Sequence, residues 1–374
     1  MRNILKVSIL AVAICGTGGA AIAQITGGQR AFEYLRMSNS PYVSALGGYA
    51  PASPDRNVSL TWQNPALLRP LFHDQLSLNY NFFYANIGIA NAQYAFHSNK
   101  LDTDFGVGLQ FINYGNVRNI DEHGIEQGTA YAADNAIALS ASRQYKDNWR
   151  YGVNLKWANS HLAGVTGMAL LADFGVAYID TARKITIGAV AKNIGVVTKK
   201  YNPDNVAEPL PFDLQIGVTK QLENVPLRLY VVAHHLYRWD IRYDNPADKV
   251  TNIFQTDTAS GNKTYFADKL FRHLNFGAEI IIGKRITATV AYSHLRRREN
   301  GFSNKMGLAG FSMGLSLELN KMQVRYGQTY YGSSGAYHEL GMNFDVDKFL
   351  KRGSRKTSGQ HQPLDFTPPP PPKE

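Results

Sequence analysis

The groups that could carry covalent or metal chemistry are few, and their spacing works against each of them. His234 and His235 are adjacent, and neighbouring side chains of a strand point to opposite faces, so the pair is not expected to close on one metal. His338-Glu339 lacks the second histidine of a zinc-protease helix and falls in an alternating, strand-like stretch. Ser333-Ser334-Gly335 does not satisfy the Gly-x-Ser-x-Gly spacing of a serine-nucleophile turn. No glycine-rich phosphate cradle precedes a helix. The single cysteine, Cys15, falls inside an export signal and leaves the mature chain without thiol chemistry. The expectation is a protein that is not an enzyme, with no catalytic residues, no metal ligands and no cofactor. Binding chemistry is better represented. Arg296, Arg297 and Arg298 open a surface loop, where planar guanidinium groups can grip lipopolysaccharide phosphates in bidentate fashion; solvated rim charge is the plain alternative. Asn64-Pro65-Ala66 combines a side chain that bonds nearby backbone, a fixed φ and a small residue, which makes a rigid turn.

The elements that would position these residues are strands. Only 18% of the 374 residues are Asp, Glu, Lys or Arg while 44% are hydrophobic, with 33 Gly, 21 Tyr and 18 Phe. That deficit of charge and surplus of aromatics suits strands and turns, and excludes a disordered chain. Beyond residue 23 no run approaches the ~20 apolar residues of a membrane-spanning helix. Residues 1–23 read as a secretory signal: Arg2 and Lys6, then an apolar stretch, then Ala21-Ile22-Ala23 before Gln24. Removing it takes two charges from the formal +10. The remaining basic balance points to an anionic membrane surface, and no nucleic-acid recognition pattern accompanies it.

From 75 to 344 the chain repeats segments of about ten residues in which apolar and polar positions alternate, the length and period of a tilted membrane strand. Fourteen are counted: 75–84, 88–97, 103–113, 134–145, 148–158, 168–180, 183–194, 212–222, 226–238, 273–282, 284–296, 308–319, 321–332 and 335–344. Connections alternate between short ones, expected in the periplasm, and others expected outside. Five of the seven outer connections (114–133, 159–167, 195–211, 239–272 and 297–307) exceed every inner one. A soluble β-sandwich has no reason for that alternation. The fold class is therefore all-β, a 14-stranded antiparallel transmembrane β-barrel in a bacterial outer membrane. The first and last outer turns, 85–87 and 333–334, are short and would be neighbours in a closed barrel, leaving a low notch where a partner or a lateral exit could sit. Residues 24–74 read as a hatch or plug within the lumen, and 345–374 as a basic and proline-rich periplasmic tail ending in Pro368–Pro372. Interior glycines such as Gly106, Gly108, Gly188, Gly217 and Gly314 are read as marks of curvature. Aromatics near strand ends, among them Phe82, Trp149, Trp157 and Trp239, fit interfacial girdles.

Two N-terminal stretches carry a resemblance: 31–37 (Ala-Phe-Glu-Tyr-Leu-Arg-Met) with Ala45-Leu46-Gly47-Gly48, then Trp62-Gln63-Asn64-Pro65-Ala66-Leu67-Leu68. Followed by fourteen strands, they make the chain resemble the PorQ family of the type IX secretion system of Bacteroidota. More broadly it resembles the FadL-like barrel superfamily, whose hatch carries the Asn-Pro-Ala motif. The resemblance implies an anchor without chemistry of its own. Such an anchor holds a PorZ-like surface subunit near PorU and PorV while cargo is joined to anionic lipopolysaccharide, within outer-membrane lipid. A FadL-like transporter of hydrophobic molecules and the related cargo-binding PorV barrel are the alternatives.

Overall fold

Strand β1, Gln75–Phe82, shows in eight residues how the wall is made. Gln75, Ser77, Asn79 and Asn81 are buried, while Leu78, Tyr80 and Phe82 are exposed. Polar groups face inward and apolar groups outward, the reverse of a soluble sheet and the arrangement that hydrocarbon surroundings demand. Strand β14, Gly335–Asp345, repeats it: Glu339 and Asn343 are buried, Leu340 and Met342 exposed.

Between them run β2 (Gly88–Ser98), β3 (Thr103–Ile120), β4 (Glu126–Tyr145), β5 (Trp149–Leu162), β6 (Val165–Asp180), β7 (Ile185–Lys199), β8 (Asp213–Gln221), β9 (Leu227–Ala233), β10 (Leu274–Ile282), β11 (Ile286–Ser293), β12 (Phe311–Glu318) and β13 (Met322–Gly332). Each pairs antiparallel with its sequence neighbours, and β1 pairs with β14 from Gln75↔Asp345 to Phe82↔His338. The fourteen strands thus close into one barrel. Closure removes the free edges that an open sheet would present to lipid. The computed structural model describes residues 30–120, 123–204, 206–241, 266–299, 307–332 and 335–350. The expected signal segment with Cys15, the turn residues 333–334 and most of the tail lie outside these. No described helix is long and apolar enough to cross a membrane.

The rim differs from the expected one. The stretch 114–133 is not a loop: β3 and β4 run on to Ile120 and from Glu126 as a tall hairpin. Likewise β5 and β6 continue through most of 159–167 and turn at Ala163-Gly164. Three connections remain long: 200–212, 234–273 and 294–310. Strands β3 to β7 have 14 to 20 residues and the other nine have 7 to 11. The short strands therefore run from β8 round through β14 and β1 to β2, across far more of the wall than a notch between two turns. Across that notch the Tyr84 hydroxyl donates to the Gly335 carbonyl at 2.8 Å and accepts from the Tyr331 amide at 3.3 Å, tying the first hairpin to the last.

Candidate functional site

Residues 30–74 precede β1 and consist of one α-helical turn, Pro41–Ala45, and four 3-10 turns, Glu33–Arg36, Val58–Trp62, Pro65–Leu67 and Pro70–Phe72. The helical turn is defined by its caps: the Ser40 side chain accepts from the Val43 amide and Pro41 occupies the first helical position. Gly47 and Gly48 then take φ of 80° and 92°, and the Gly48 amide returns to the Val43 carbonyl at 2.8 Å. This explains the Ala-Leu-Gly-Gly stretch locally.

The segment contacts the wall on every side. Tyr34 Oη donates to the Asn135 carbonyl of β4 at 2.6 Å, and Asn154 Nδ2 of β5 donates to the Thr61 carbonyl at 3.0 Å. Asn275 Nδ2 of β10 donates to the Leu46 carbonyl at 2.6 Å. Thr329 Oγ1 of β13 reaches the Ser44 carbonyl at 3.1 Å, and Asn79 Nδ2 of β1 reaches the Asn39 carbonyl at 3.1 Å. Partners on strands so widely spaced around the barrel place the segment in the lumen.

Asn64, Pro65 and Ala66 lie against the wall at β5, β6 and β7. Asn64 caps the Pro65–Leu67 turn, its Oδ1 accepting from the Ala66 amide at 3.0 Å. Its Nδ2 donates to the Pro51 carbonyl at 2.8 Å and lies 3.3 Å from the Val176 carbonyl of β6. The wall yields to this turn through glycines. A Cβ on Gly152 would lie 2.6 Å from the Pro65 carbonyl, one on Gly175 would collide with Asn64 Oδ1, and one on Gly188 with the Pro51 carbonyl. On the opposite side Gly314 faces Ala45 and Gly327 faces Pro41. Gly188, Gly217 and Gly314 therefore serve close approach of the chain's own lumen segment, which corrects their reading as curvature marks.

Buried ion pairs fill the remaining lumen. Lys156 Nζ lies 2.6 Å from Asp173 Oδ2 with both side chains wholly enclosed, and 5.0 Å from the Trp62 ring centre. Arg228 pairs with Glu279 and Arg325 with Asp55, each at 2.7 Å, and Arg150 pairs with Asp104. Arg69 of the lumen segment donates to the Pro54 and Asp55 carbonyls, and burial, reinforced by nearby Arg150, pulls its guanidinium down to about 10. On the strands such charges alternate with outward apolar residues, as Lys156 does with Leu155 and Trp157 and Arg150 with Trp149 and Tyr151, whereas Asp55 and Arg69 belong to the lumen segment. A lone charge on the polar face of a strand was the signal that could have revealed these lumen groups.

The histidines and arginines differ from expectation. Strand β9 stops at Ala233, and His235 takes a φ of 56°, which brings the two imidazoles together with Nδ1 atoms 2.6 Å apart. The separation onto opposite faces does not hold, because these residues are not in a strand. His234 stacks on Tyr49 at 4.2 Å, and burial holds both imidazoles well below the ordinary histidine range. Arg296, Arg297 and Arg298 lie on a short helix, His294–Glu299, and part company. Arg296 turns inward over the Tyr331 ring at 4.6 Å and against Gly48. Arg297 donates to the Gly307 and Ala309 carbonyls, and Arg298 alone is well exposed, 3.3 Å from Asp268. A joint grip on phosphate by all three is not available in this arrangement. Among the described residues His73, Asp74 and Asp347 have metal-ligand spacing, but His73 Nδ1 accepts from the His97 amide at 3.0 Å. Its other nitrogen then carries the proton in the neutral ring and cannot ligate.

A second feature lies where β7 leaves β8. Asn193 takes a φ of 60° in a bulge; its amide donates to Asp173 Oδ1 at 2.8 Å and its Nδ2 to the Pro211 carbonyl at 3.0 Å. Beyond it, Ile194, Val196, Val197, Leu210 and Phe212 line an open groove of about 710 Å³.

No family model matches the sequence, and no curated protein matches it. Among solved structures the chain is similar to the Pseudomonas putida toluene transporter TodX, at 12% identity over 82% of this chain and 96% of that one, with a TM-score of 0.44. It is also similar to a Pseudomonas aeruginosa FadL homologue, at 10% identity, 82% and 98% coverage and a TM-score of 0.46. The CymD monoaromatic hydrocarbon channel matches at 13% identity, 82% and 96% coverage and a TM-score of 0.45. The fold rests on the closed ladder of strands and its outward apolar face, which are those of an outer-membrane barrel.

Proposed function

We propose that this barrel is a plugged, non-enzymatic anchor in the outer membrane. It holds a PorZ-like surface subunit near PorU and PorV, the machinery that joins cargo to anionic lipopolysaccharide. The observation that carries the reading is the filling of the lumen: a segment bonded to the wall on every side and surrounded by buried ion pairs leaves the barrel as a support. A conduit for hydrophobic molecules would need a continuous open path past the Asn64 turn, and there Ala66 and Leu67 are fully buried in a cluster with Leu60, Ala177 and Ile179. The tall β3 to β7 wall and the described parts of the connections that follow β7, β9 and β11 offer the surface for a partner. The identity of that partner comes from the resemblance of the N-terminal stretches. Affinity purification of the full chain from detergent extract, in cells that make a PorZ-like protein, tests it. Co-purification is expected, and its absence there would sink the reading.

A transporter of hydrophobic molecules is the second reading, favoured by the apolar groove beside β7. It predicts uptake of a small hydrocarbon that depends on this chain.

A further inference from the structure

The β7 strand has one edge that no described strand covers. Its ladder with β6 runs to Lys199, whereas its ladder with β8 ends at Lys192↔Asp213. From Ile194 to Lys199 the strand is therefore paired on one side alone, with a bulge at Thr198. Two features of the sequence cause this. The left-handed Asn193, held by Asp173 and Pro211, turns the strand out of line with β8. The segment that faces the edge, 207–212, contains Pro209 and Pro211, which have no N–H to give to a ladder. Several of its other groups are already used: the Pro209 carbonyl accepts from the Ala31 amide, the Pro211 carbonyl from Asn193 Nδ2 and the Phe212 carbonyl from Arg36, and the Phe212 amide donates to the Leu210 carbonyl.

We propose that this edge receives an extended strand from a partner protein, seated in the groove between β7 and residues 207–212. The chemistry of the place selects a peptide over a lipid or a hydrocarbon. Backbone amides and carbonyls on the open side of Ile194–Lys199 need hydrogen-bonding partners, which acyl chains cannot supply. Ile194 and Val196 are exposed beside Leu170 of β6, an outward apolar surface that keeps water scarce. A strand added in register satisfies the backbone and continues that surface. Six residues at ~3.3 Å each make an edge about 20 Å long, enough for a specific strand. Charge sets the character of the partner. Glu208 stands half-buried on the groove wall with no ion pair among the described residues, and Lys199 is exposed at the far end. The strand that fits carries alternating apolar residues, a lysine or arginine opposite Glu208 and an acidic residue beyond Lys199. The inference deepens the anchoring reading and rests on it for which protein supplies the strand.

The test places a photo-crosslinking amino acid at Ile194, Val196 and Thr198 in turn, in the full chain within its own cells, and sequences the adducts. The expected result is one peptide of one partner, with the crosslinked position moving two residues along it for each two-residue step of the probe. Adducts to lipid alone, to another part of this chain, or to a protein without such stepping overturn the proposal. Glu208→Lys should lower the yield at least tenfold while the barrel keeps its folded migration on gels, and reversing the partner's basic residue should restore it. An unchanged yield overturns the proposed charge match and the seat with it. Stepped crosslinks to a protein other than a PorZ-like subunit support the edge and count against the anchoring reading. Co-purification of a PorZ-like subunit without stepped crosslinks does the reverse.

Discussion

Replacing Lys156 by Met should destabilise the barrel because of what it leaves behind. The Lys156 and Asp173 side chains are wholly enclosed and 2.6 Å apart. Removing one member of such a pair strands the other, at a cost of about 3–5 kcal/mol. The two single variants should not cost the same. In Lys156→Met, Asp173 keeps donors from Asn154 Nδ2 at 3.0 Å and the Asn193 amide at 2.8 Å, which places the loss near ~3 kcal/mol. In Asp173→Asn, the ammonium keeps the Asn193 Oδ1 acceptor at 3.1 Å and the face of Trp62, which places the loss near ~5 kcal/mol. The double variant removes both charges, so it should cost clearly less than the sum, by roughly 3 kcal/mol, a coupling at the upper end for residues in contact. Urea titration of the barrel refolded into lipid vesicles, followed by tryptophan fluorescence, measures all three. Single losses below about 1 kcal/mol that simply add would refute the claim that this pair sits in a dry, packed lumen.

Three further outcomes follow from the geometry. Gly175→Ala puts a methyl group onto Asn64 Oδ1 and should cost ~1–3 kcal/mol and admit a small probe through the lumen, whereas Gly106→Ala, whose nearest neighbour would be 3.4 Å away, should do neither; ion conductance across planar bilayers compares them. Asn64→Leu keeps the size but loses the bonds to Pro51 and Ala66, and should lower the urea midpoint by an equivalent of about 1–3 kcal/mol. The His234 and His235 rings are held neutral when folded and gain protons once unfolded, so stability should fall as pH drops below the unfolded value of ~6.5, by up to about 1.4 kcal/mol per pH unit for each ring. A His234→Gln, His235→Asn variant should have a flatter unfolding midpoint between pH 7 and pH 5; an equal slope in both proteins would show that other groups set it.

The strand count was legible because a membrane wall imposes the same two-residue period from Leu76 to Phe344. Its height was not. Above the lipid the outer face of β3 and β4 need not be apolar, so residues such as Asn113 and Arg118 continue the ladder, on either side of a bulge at Gly115, without the alternation that marks it lower down. The pairing of His234 with His235 depended on one positive φ, which adjacency alone does not disclose. Lumen ion pairs were hidden for a different reason. Arg325 and Asp55 are 270 positions apart, and only closure of the barrel brings them within reach. The Asn64-Pro65-Ala66 turn was legible in its rigidity, but the glycines that make room for it come from strands that are read separately.

The two ends of the wall also impose an order of events in time. Residue 75 meets 345 at the seam, and the lumen segment is fastened to those late strands by Arg56 to Asp345, Asp55 to Arg325 and Ser44 to Glu339. None of these bonds can exist before β13 and β14 are in place, so on this side the lumen segment is fastened no earlier than the strands that close the wall. A chain stalled before β13 would leave Asp55, Arg56 and Ser44 without these partners and one edge of Gln75–Phe82 unpaired.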